Sequence, residues 1–274
     1  MEFKYETHLH TMQGSACGKA PGRDYIAKYM DLGYDGIIVT DHFFHGNCRP
    51  NRELPWDQWV TEYCRGYEDA AEEGYRRGFK VFFGLEERFD LWDEWLVYGL
   101  TKEYMLAHPG MRDWTRMQWL EHVHAAGGCA VQCHPFRQAG YMSRDGHMAP
   151  CLAVDGVEVC NSGNQPAWDA QAARYARNML PDIFHSAGSD IHHPDDRQGD
   201  QVFGVAFDQP LFSVQDYVQA VLHNTPHRLI VSPGRDDPDQ PLEEPTLPMT
   251  VLDRECRPTA LTLRDVLGDY HERV

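Results

Sequence analysis

Short continuous apolar runs alternate along this chain with longer stretches whose apolar residues recur at helical spacing, a strand–helix rhythm that predicts an α/β barrel. Phe3-Lys4-Tyr5 opens a first strand that runs to His8-Leu9-His10. Tyr25, Ile26, Tyr29, Met30 and Leu32 mark a helix over 24–32, stopped by Gly33. Residues 35–40 (DGIIVT) are continuous and β-branched, as in a parallel strand buried on both faces. A loop over 43–55 then precedes a single long helix over 56–77, closed by Gly78. The third strand spans 80–86 and the fourth 93–100; a helix over 114–126 leads to a fifth strand over 129–134, which Pro135 ends. Further strands are expected over 154–160, 182–189, 201–207 and 228–231, with helices over 167–179 and 214–222.

After Ser232 the pattern changes to PGRDDPDQPLEEPTLP, which has the composition of a loop. The expected organisation is therefore a barrel over 1–231 and a proline- and acid-rich linker with a C-terminal extension over 232–274. That extension is expected to pack back on the barrel as a strand over 249–252 and a helix over 263–270.

At 274 residues the chain has room for one barrel-sized domain. The 42 acidic against 25 basic residues, a formal charge of -17, disfavour an extended nucleic-acid partner but leave room for a small anion at a local cationic site. No run approaches the roughly 18 apolar residues of a membrane span. The opening Met-Glu-Phe-Lys begins a strand rather than a signal peptide, so a cytoplasmic location is expected. Eight cysteines without a C-x-x-C pair form neither a zinc ribbon nor a secreted disulfide framework, and most are expected as buried, reduced thiols.

The candidate chemistry sits at the strand ends. Successive side chains of a strand point to opposite faces, so His8 and His10 converge on one point, half of a metal site. An isolated H-x-H is as readily structural, because buried histidines often satisfy local hydrogen bonds. Here, however, His42, Glu86, His134, Asp190 and His192 stand at the ends of four further strands, and on a parallel barrel those ends share one face. Glu87 neighbours Glu86, and only one of the two can face the site. Seven donors exceed the set of one zinc ion and imply two or three metals. Arg137, Arg197, Lys19 and Arg88 are candidate cations for a substrate anion. His108 and His147 lie in loops within reach of the site, and His193 is placed to approach a substrate. His45, His122, His124, His185, His223, His227 and His271 are expected to be structural or solvated.

The motifs HLHT with its following SACG, VTDH, GLE, CHP and SDIH, in this order over about residues 5–193, resemble those of the PHP superfamily, the polymerase and histidinol phosphatase metal-dependent phosphoesterases. The resemblance implies a distorted (β/α)7 TIM-like barrel holding two or three divalent ions, Mn, Fe or Zn. It implies that His8, His10, Glu86 and Asp190 bind one metal, that Glu86 bridges to a second shared with His134, and that His42 and His192 serve a third. Cys17 stands where the family usually has Asp or His, and is either a soft thiolate ligand or a buried thiol. Trp95 stands where the fourth strand usually supplies a histidine, leaving Asp93, Glu94 and His108 as substitutes and the second metal site open.

The implied reaction is hydrolysis of a small phosphoester, a phosphorylated metabolite, nucleotide or cyclic phosphate, by a metal-activated hydroxide. No G-x-S-x-G or P-loop suggests a side-chain nucleophile or a nucleotide cradle. The alternatives are a PHP-type nuclease, which the acidic charge disfavours, and a non-enzymatic metal- or nucleotide-binding module with a degenerate site.

Overall fold

The computed structural model describes residues 2–142 and 146–268. The apolar runs form nine strands: β1 (Phe3–Leu9), β2 (Gly36–Val39), β3 (Lys80–Arg88), β4 (Glu94–Tyr98), β5 (Cys129–Cys133), β6 (Gly156–Asn161), β7 (Phe184–Gly188), β8 (Gly204–Phe207) and β9 (Arg228–Ile230). Their order is β7-β6-β5-β4-β3-β2-β1-β8-β9. β1, β2 and β3 are parallel, as are β5, β6 and β7. Between these groups β4 runs antiparallel to both neighbours, which the apolar pattern does not announce.

The sheet curls into a nearly closed, distorted TIM-like barrel because β1 divides its free edge. Its first residues pair antiparallel with β8, from Phe3 opposite Phe207 to Tyr5 opposite Val205. Its last residues meet the segment after β7, where Asp190 N–H donates to His8 C=O at 2.8 Å and His10 N–H donates to Ile191 C=O at 3.0 Å. Glu6 reinforces this seam: its Oε1 accepts the N–H groups of both His8 and Ser189 at 2.9 Å, and its Oε2 accepts the Tyr29 hydroxyl at 2.7 Å.

The helices are α1 (Asp24–Asp31), α2 (Trp56–Tyr63), α3 (Arg65–Arg77), α4 (Lys102–Ala107), α5 (Arg116–Ala125), α6 (Pro166–Met179), α7 (Val214–Leu222) and α8 (Leu263–Leu267). The single helix expected over 56–77 is two, interrupted at Cys64. There the start of α3 is drawn onto the loop after β1, so closely that a Cβ on Gly66 would overlap Thr11 Oγ1. In α2, Trp56, Trp59 and Tyr63 fall on one face at intervals of three and four and stack, with ring centroids 5.3 and 5.0 Å apart. This aromatic layer covers the outside of the barrel and takes in Trp95 and Trp119. Inside, Tyr5, Phe82, Leu96, Tyr98 and Phe184 pack against Tyr217 and Val218 of α7. The end of the barrel away from the histidines is thereby filled, and it positions nothing chemical.

The segment after the last strand lies across α6, where Gln171 Nε2 donates to Glu243 C=O at 2.8 Å. In place of a strand over 249–252 there are two isolated parallel bridges, Met148 with Met249 and Cys151 with Leu252. α8 ends at Leu267, and residues 269–270 of the expected helix, like His271, lie outside the described residues. Among the described residues no helix is long and apolar enough to cross a membrane.

Candidate metal centre

At the open end of the barrel the strand ends bring the predicted donors together. Glu86, near the end of β3, is the hub. Its Oε1 lies 3.1 Å from His134 Nε2 and 3.5 Å from His8 Nε2, and its Oε2 lies 2.7 Å from His42 Nδ1 and 3.4 Å from His10 Nε2. Asp190 Oδ1 lies 3.0 Å from His10 Nε2 and 3.7 Å from His8 Nε2. His192 and His42 both stack on His10, with ring centroids 4.6 and 4.3 Å from it and 6.5 Å from each other. All seven strand-end donors of the sequence are thus within one cluster. His134 and Asp190 both take a left-handed backbone, with φ of 30° and 50°. Such a conformation is costly for a non-glycine residue and persists where the surroundings fix it. Glu158 Oε2 accepts His134 N–H at 3.0 Å, and His8 C=O accepts Asp190 N–H.

Buried polar atoms are nearly always hydrogen-bonded. In this cluster His8 Nε2, His10 Nε2, His42 Nδ1 and Glu86 Oε2 are buried without a hydrogen-bond partner, and all four point at one another's neighbourhood. That is the pattern a cation would complete. Four overlapping sets of donor atoms are close enough to share an ion: His8, His10 and Asp190; His8, Glu86, Cys133 and His134; His42, Glu86 and Glu94; and His10, His42 and His192.

The outer partners of the imidazoles fix which nitrogen faces the cluster. His8 Nδ1 bonds Glu158 Oε1 at 3.0 Å, which turns Nε2 inward. His10 Nδ1 meets Ser15 Oγ at 3.1 Å; that hydroxyl donates to Asp41 Oδ1 at 2.6 Å and so must accept from His10. The same oxygen accepts His42 N–H at 2.9 Å. Asp41, of the VTDH motif, therefore acts behind the imidazoles of His10 and His42, holding Thr11 and Ser15. Glu6, Glu158 and the Ser15–Asp41 pair were not among the sequence candidates. For Glu158 the signal was an acid between the valines of VEV, which marks a buried charge needing a partner. Glu158→Gln is expected to weaken metal binding about 10- to 100-fold with little loss of fold. Titration with Zn²⁺ against a chromogenic chelator checks this, and an unchanged affinity would count Glu158 out of the centre.

Electrostatics favour anionic donors here. Burial alone would raise the Glu86 carboxyl, but His42 and His8 beside it hold it well below the usual carboxylate range. Burial likewise opposes ionisation of Asp190, and Arg137 and His8 outweigh it. His10, buried next to His42, is pushed down to about 3 and stays neutral, the form a metal requires.

The structure chooses among the substitutes on the fourth strand. Because β4 is antiparallel, its first residue and not its last lies at the open end. Glu94 is buried there, its Oε1 3.9 Å from His42 Nδ1 and its Oε2 3.7 Å from His134 Nε2. Trp95 points the other way, into the outer aromatic layer against Phe89 at 4.7 Å. Asp93 is held by Arg116 at 2.5 Å. His108 is stacked on Tyr104 at 4.0 Å and bonds the Tyr104 carbonyl, outside the cluster. Glu87, the other carboxylate of GLE, pairs with His45 at 2.5 Å. Cys133, inward-facing on β5, was missed; its thiol donates to Glu86 Oε1 at 3.2 Å. Cys17 lies against His192 and His42. Burial opposes its ionisation, but hydrogen bonds with both imidazoles bring the thiol down to about 6.

Of the candidate cations, Arg137 is buried at the rim, its Nη1 2.6 Å from Asp190 Oδ2 and 3.4 Å from the Tyr141 hydroxyl. Arg88 pairs with Glu94 at 3.1 Å. Arg197 is further out, bonding Ser162 Oγ at 3.1 Å, and the Lys19 backbone N–H, 2.9 Å from His192 C=O, anchors an exposed side chain. His147 lines the small cavity bounded by Glu94, His134, Arg137 and Tyr141, while His193 is half-buried beside Asp195. His122 stacks on Trp114, and His124 pairs with Asp155. His185 and His227 bond backbone carbonyls near β7, and His223 bonds Gln219 C=O.

No protein-family model and no curated protein matches the sequence. Solved structures do match the fold. PsfC from Pseudomonas syringae superposes with a TM-score of 0.49 at 17% identity, over 86% of this chain and 93% of that one. Endonuclease Q in complex with a 27-mer duplex bearing an abasic lesion gives 0.48 at 12% identity, over 83% and 58%. A two-domain protein from Bacteroides vulgatus containing a predicted PHP-like metal-dependent phosphoesterase gives 0.59 at 15% identity, over 84% and 65%. On that superposition the fold of this chain, a nearly closed and distorted TIM-like barrel, is similar to that of the protein containing the predicted PHP-like metal-dependent phosphoesterase.

Proposed function

We propose that the chain is a hydrolase that uses two or three divalent cations to cleave a small phosphoester. The observation that carries this reading is the set of four buried, unpartnered donor atoms on His8, His10, His42 and Glu86, ringed by Asp190, His134, His192 and Glu94. His8, His10, Glu86 and Asp190 would hold one ion, with Glu86 reaching a second shared with His134 and Glu94. His42 and His192 would serve a third. Divalent ions there supply Lewis acidity toward phosphoryl oxygens and lower the pKa of water.

The chain's own residues then have separable tasks. Glu158 and Ser15 keep the lone pairs of His8 and His10 aimed inward. Arg137, at the rim beside Tyr141, presents the cationic edge against which a phosphoryl oxygen can be oriented. The charge of -17 argues against the long polyanion of the nuclease alternative. Against the degenerate-site alternative, Glu94 offers the cluster the donor that Trp95 lacks.

The test is elemental analysis of the purified protein beside His8→Ala, followed by a phosphoester screen with the metal found. Two or three equivalents of Mn, Fe or Zn per chain, sharply reduced in the variant, together with metal-dependent release of phosphate, are expected. Metal-free protein that takes up neither Mn²⁺ nor Zn²⁺ would overturn the reading.

A further inference from the structure

A hydrogen-bonded chain runs from the proline-rich segment after the barrel to the metal cluster. Arg235, in that segment, donates from Nε to Asp169 Oδ2 at 3.0 Å, a second bond to the same oxygen coming from Nη2. Nη2 also reaches the carbonyls of Asn161 and Asn164, each at 3.2 Å, and the guanidinium lies over the Phe203 ring, 5.4 Å from its centroid. Asp169, fully buried in the first turn of α6, uses its other oxygen to accept Asn164 Nδ2 at 2.9 Å and Asn161 N–H at 3.2 Å. The two asparagine side chains then grip Arg137. Asn164 Oδ1 accepts its Nε at 2.8 Å, and Asn161 Oδ1 accepts its Nη2 at 3.0 Å. That leaves Nη1 for Asp190 Oδ2, at 2.6 Å, while Asp190 Oδ1 faces His10 and His8.

A branch of the same network reaches a second donor. Asn161 Nδ2 donates at 2.9 Å to Glu158 Oε2, and Glu158 Oε1 holds His8 Nδ1. The loop 161–164 thus stands directly behind both Asp190 and His8. Arg235 is the group that fastens it from outside, with three acceptors in one planar fork. An ammonium cannot reproduce that geometry, because a lysine is a single point of charge on a flexible stem.

We infer that Arg235 is a positioning residue for the metal centre. By clamping the loop 161–164 through Asp169 it fixes the Arg137 guanidinium, and through it the carboxylate of Asp190. The post-barrel segment is then part of the site's construction rather than a passive connection. The inference rests on the proposed metal centre. Buried networks of this kind act as a unit, and partners behind a ligand typically change metal affinity about 10- to 100-fold when removed.

The experiment measures the dissociation constant for Zn²⁺, by competition with a chromogenic chelator, in full-length wild type, Arg235→Ala, Arg235→Lys, Asp169→Asn, Arg137→Ala, the double variant Arg235→Ala/Arg137→Ala, and His8→Ala. Arg235→Ala and Asp169→Asn are expected to weaken binding about tenfold, with Arg235→Lys in between. In the Arg137→Ala background the Arg235 substitution is expected to cost less than it does alone, because its route to Asp190 is already cut and only the branch through Asn161 and Glu158 to His8 remains. Thermal melting of each variant separates this from mere destabilisation. A lowered melting temperature with wild-type Zn²⁺ affinity in Arg235→Ala overturns the inference, and so does a full, additive effect in the double variant. If Arg235→Ala does not fold, the lysine and asparagine variants decide by the same criteria. Loss of binding in His8→Ala alone leaves the metal centre standing and removes Arg235 from it, whereas undiminished binding in His8→Ala removes the centre itself.

Discussion

Glu86→Gln is expected to strip the centre of metal and to lower turnover by about 10³-fold or more, the equivalent of roughly 4 kcal/mol of transition-state stabilisation. The side chain keeps its volume, so the packing of β3 is undisturbed and the protein should melt near the temperature of metal-free wild type. What changes is charge and donor pattern. In the wild type a single buried carboxylate faces four imidazole nitrogens, with Oε1 toward His8 and His134 and Oε2 toward His10 and His42. A carboxylate can serve two cations at once, one per oxygen. An amide offers one weak acceptor and turns an NH₂ on the other pair of histidines, supplying the hydrogen bonds that His42 Nδ1 and His10 Nε2 lack. The substitution therefore satisfies the metal-free site as it destroys the metal-binding one. Elemental analysis alongside initial rates on the best phosphoester gives the answer, and full activity in Glu86→Gln would falsify the assignment of the hub.

The legible part of this site is the part that strand periodicity and strand ends control. His8 and His10 share a face because alternation has a period of two, and His42, Glu86, His134, Asp190 and His192 follow apolar runs whose ends a barrel gathers. Strand direction was not legible. An apolar run such as EWLVY reads the same in either sense, and only its antiparallel pairing puts Glu94 at the site and Trp95 outside. The long-range partners were not legible either. Glu158 is 150 positions from His8, and Arg235 is 66 from Asp169. Nothing local in PGRDDPDQP distinguishes a clamp from a solvated linker. The break at Cys64 depends on the close approach of Gly66 to Thr11, a tertiary contact with no helix-stop residue to mark it.

Asp190→Ala separates ligand loss from structural loss, and the structure alters what sequence alone would expect of it. From the sequence, Asp190 is a ligand whose removal should abolish turnover and leave the fold largely intact. In the structure one of its oxygens faces His10 and His8, and the other neutralises Arg137, a guanidinium only 9% exposed. Truncation to alanine removes a ligand and strands a buried cation. Leaving one partner of a buried pair uncompensated costs about 3–5 kcal/mol, far more than the pair itself is worth. Metal content is expected to fall with Asp190→Ala, and the urea midpoint to fall with it even when both proteins are compared metal-free. Asp190→Asn keeps an acceptor for Arg137, so it should lose metal with a smaller loss of stability. In Asp190→Ala/Arg137→Ala, where no charge is stranded, much of that stability should return. The acid limb carries the same sign. Burial opposes ionisation of Asp190, but Arg137 and His8 hold its carboxyl well below its ordinary value of 3.8. Its contribution is therefore complete above that ordinary value and is lost as pH falls through the depressed folded one. Asp190→Asn should flatten this part of the metal-free stability profile. Equal urea midpoints for wild type and Asp190→Ala would mean that Arg137 finds another partner on truncation, and the ion pair would then have no part in holding the rim of the site.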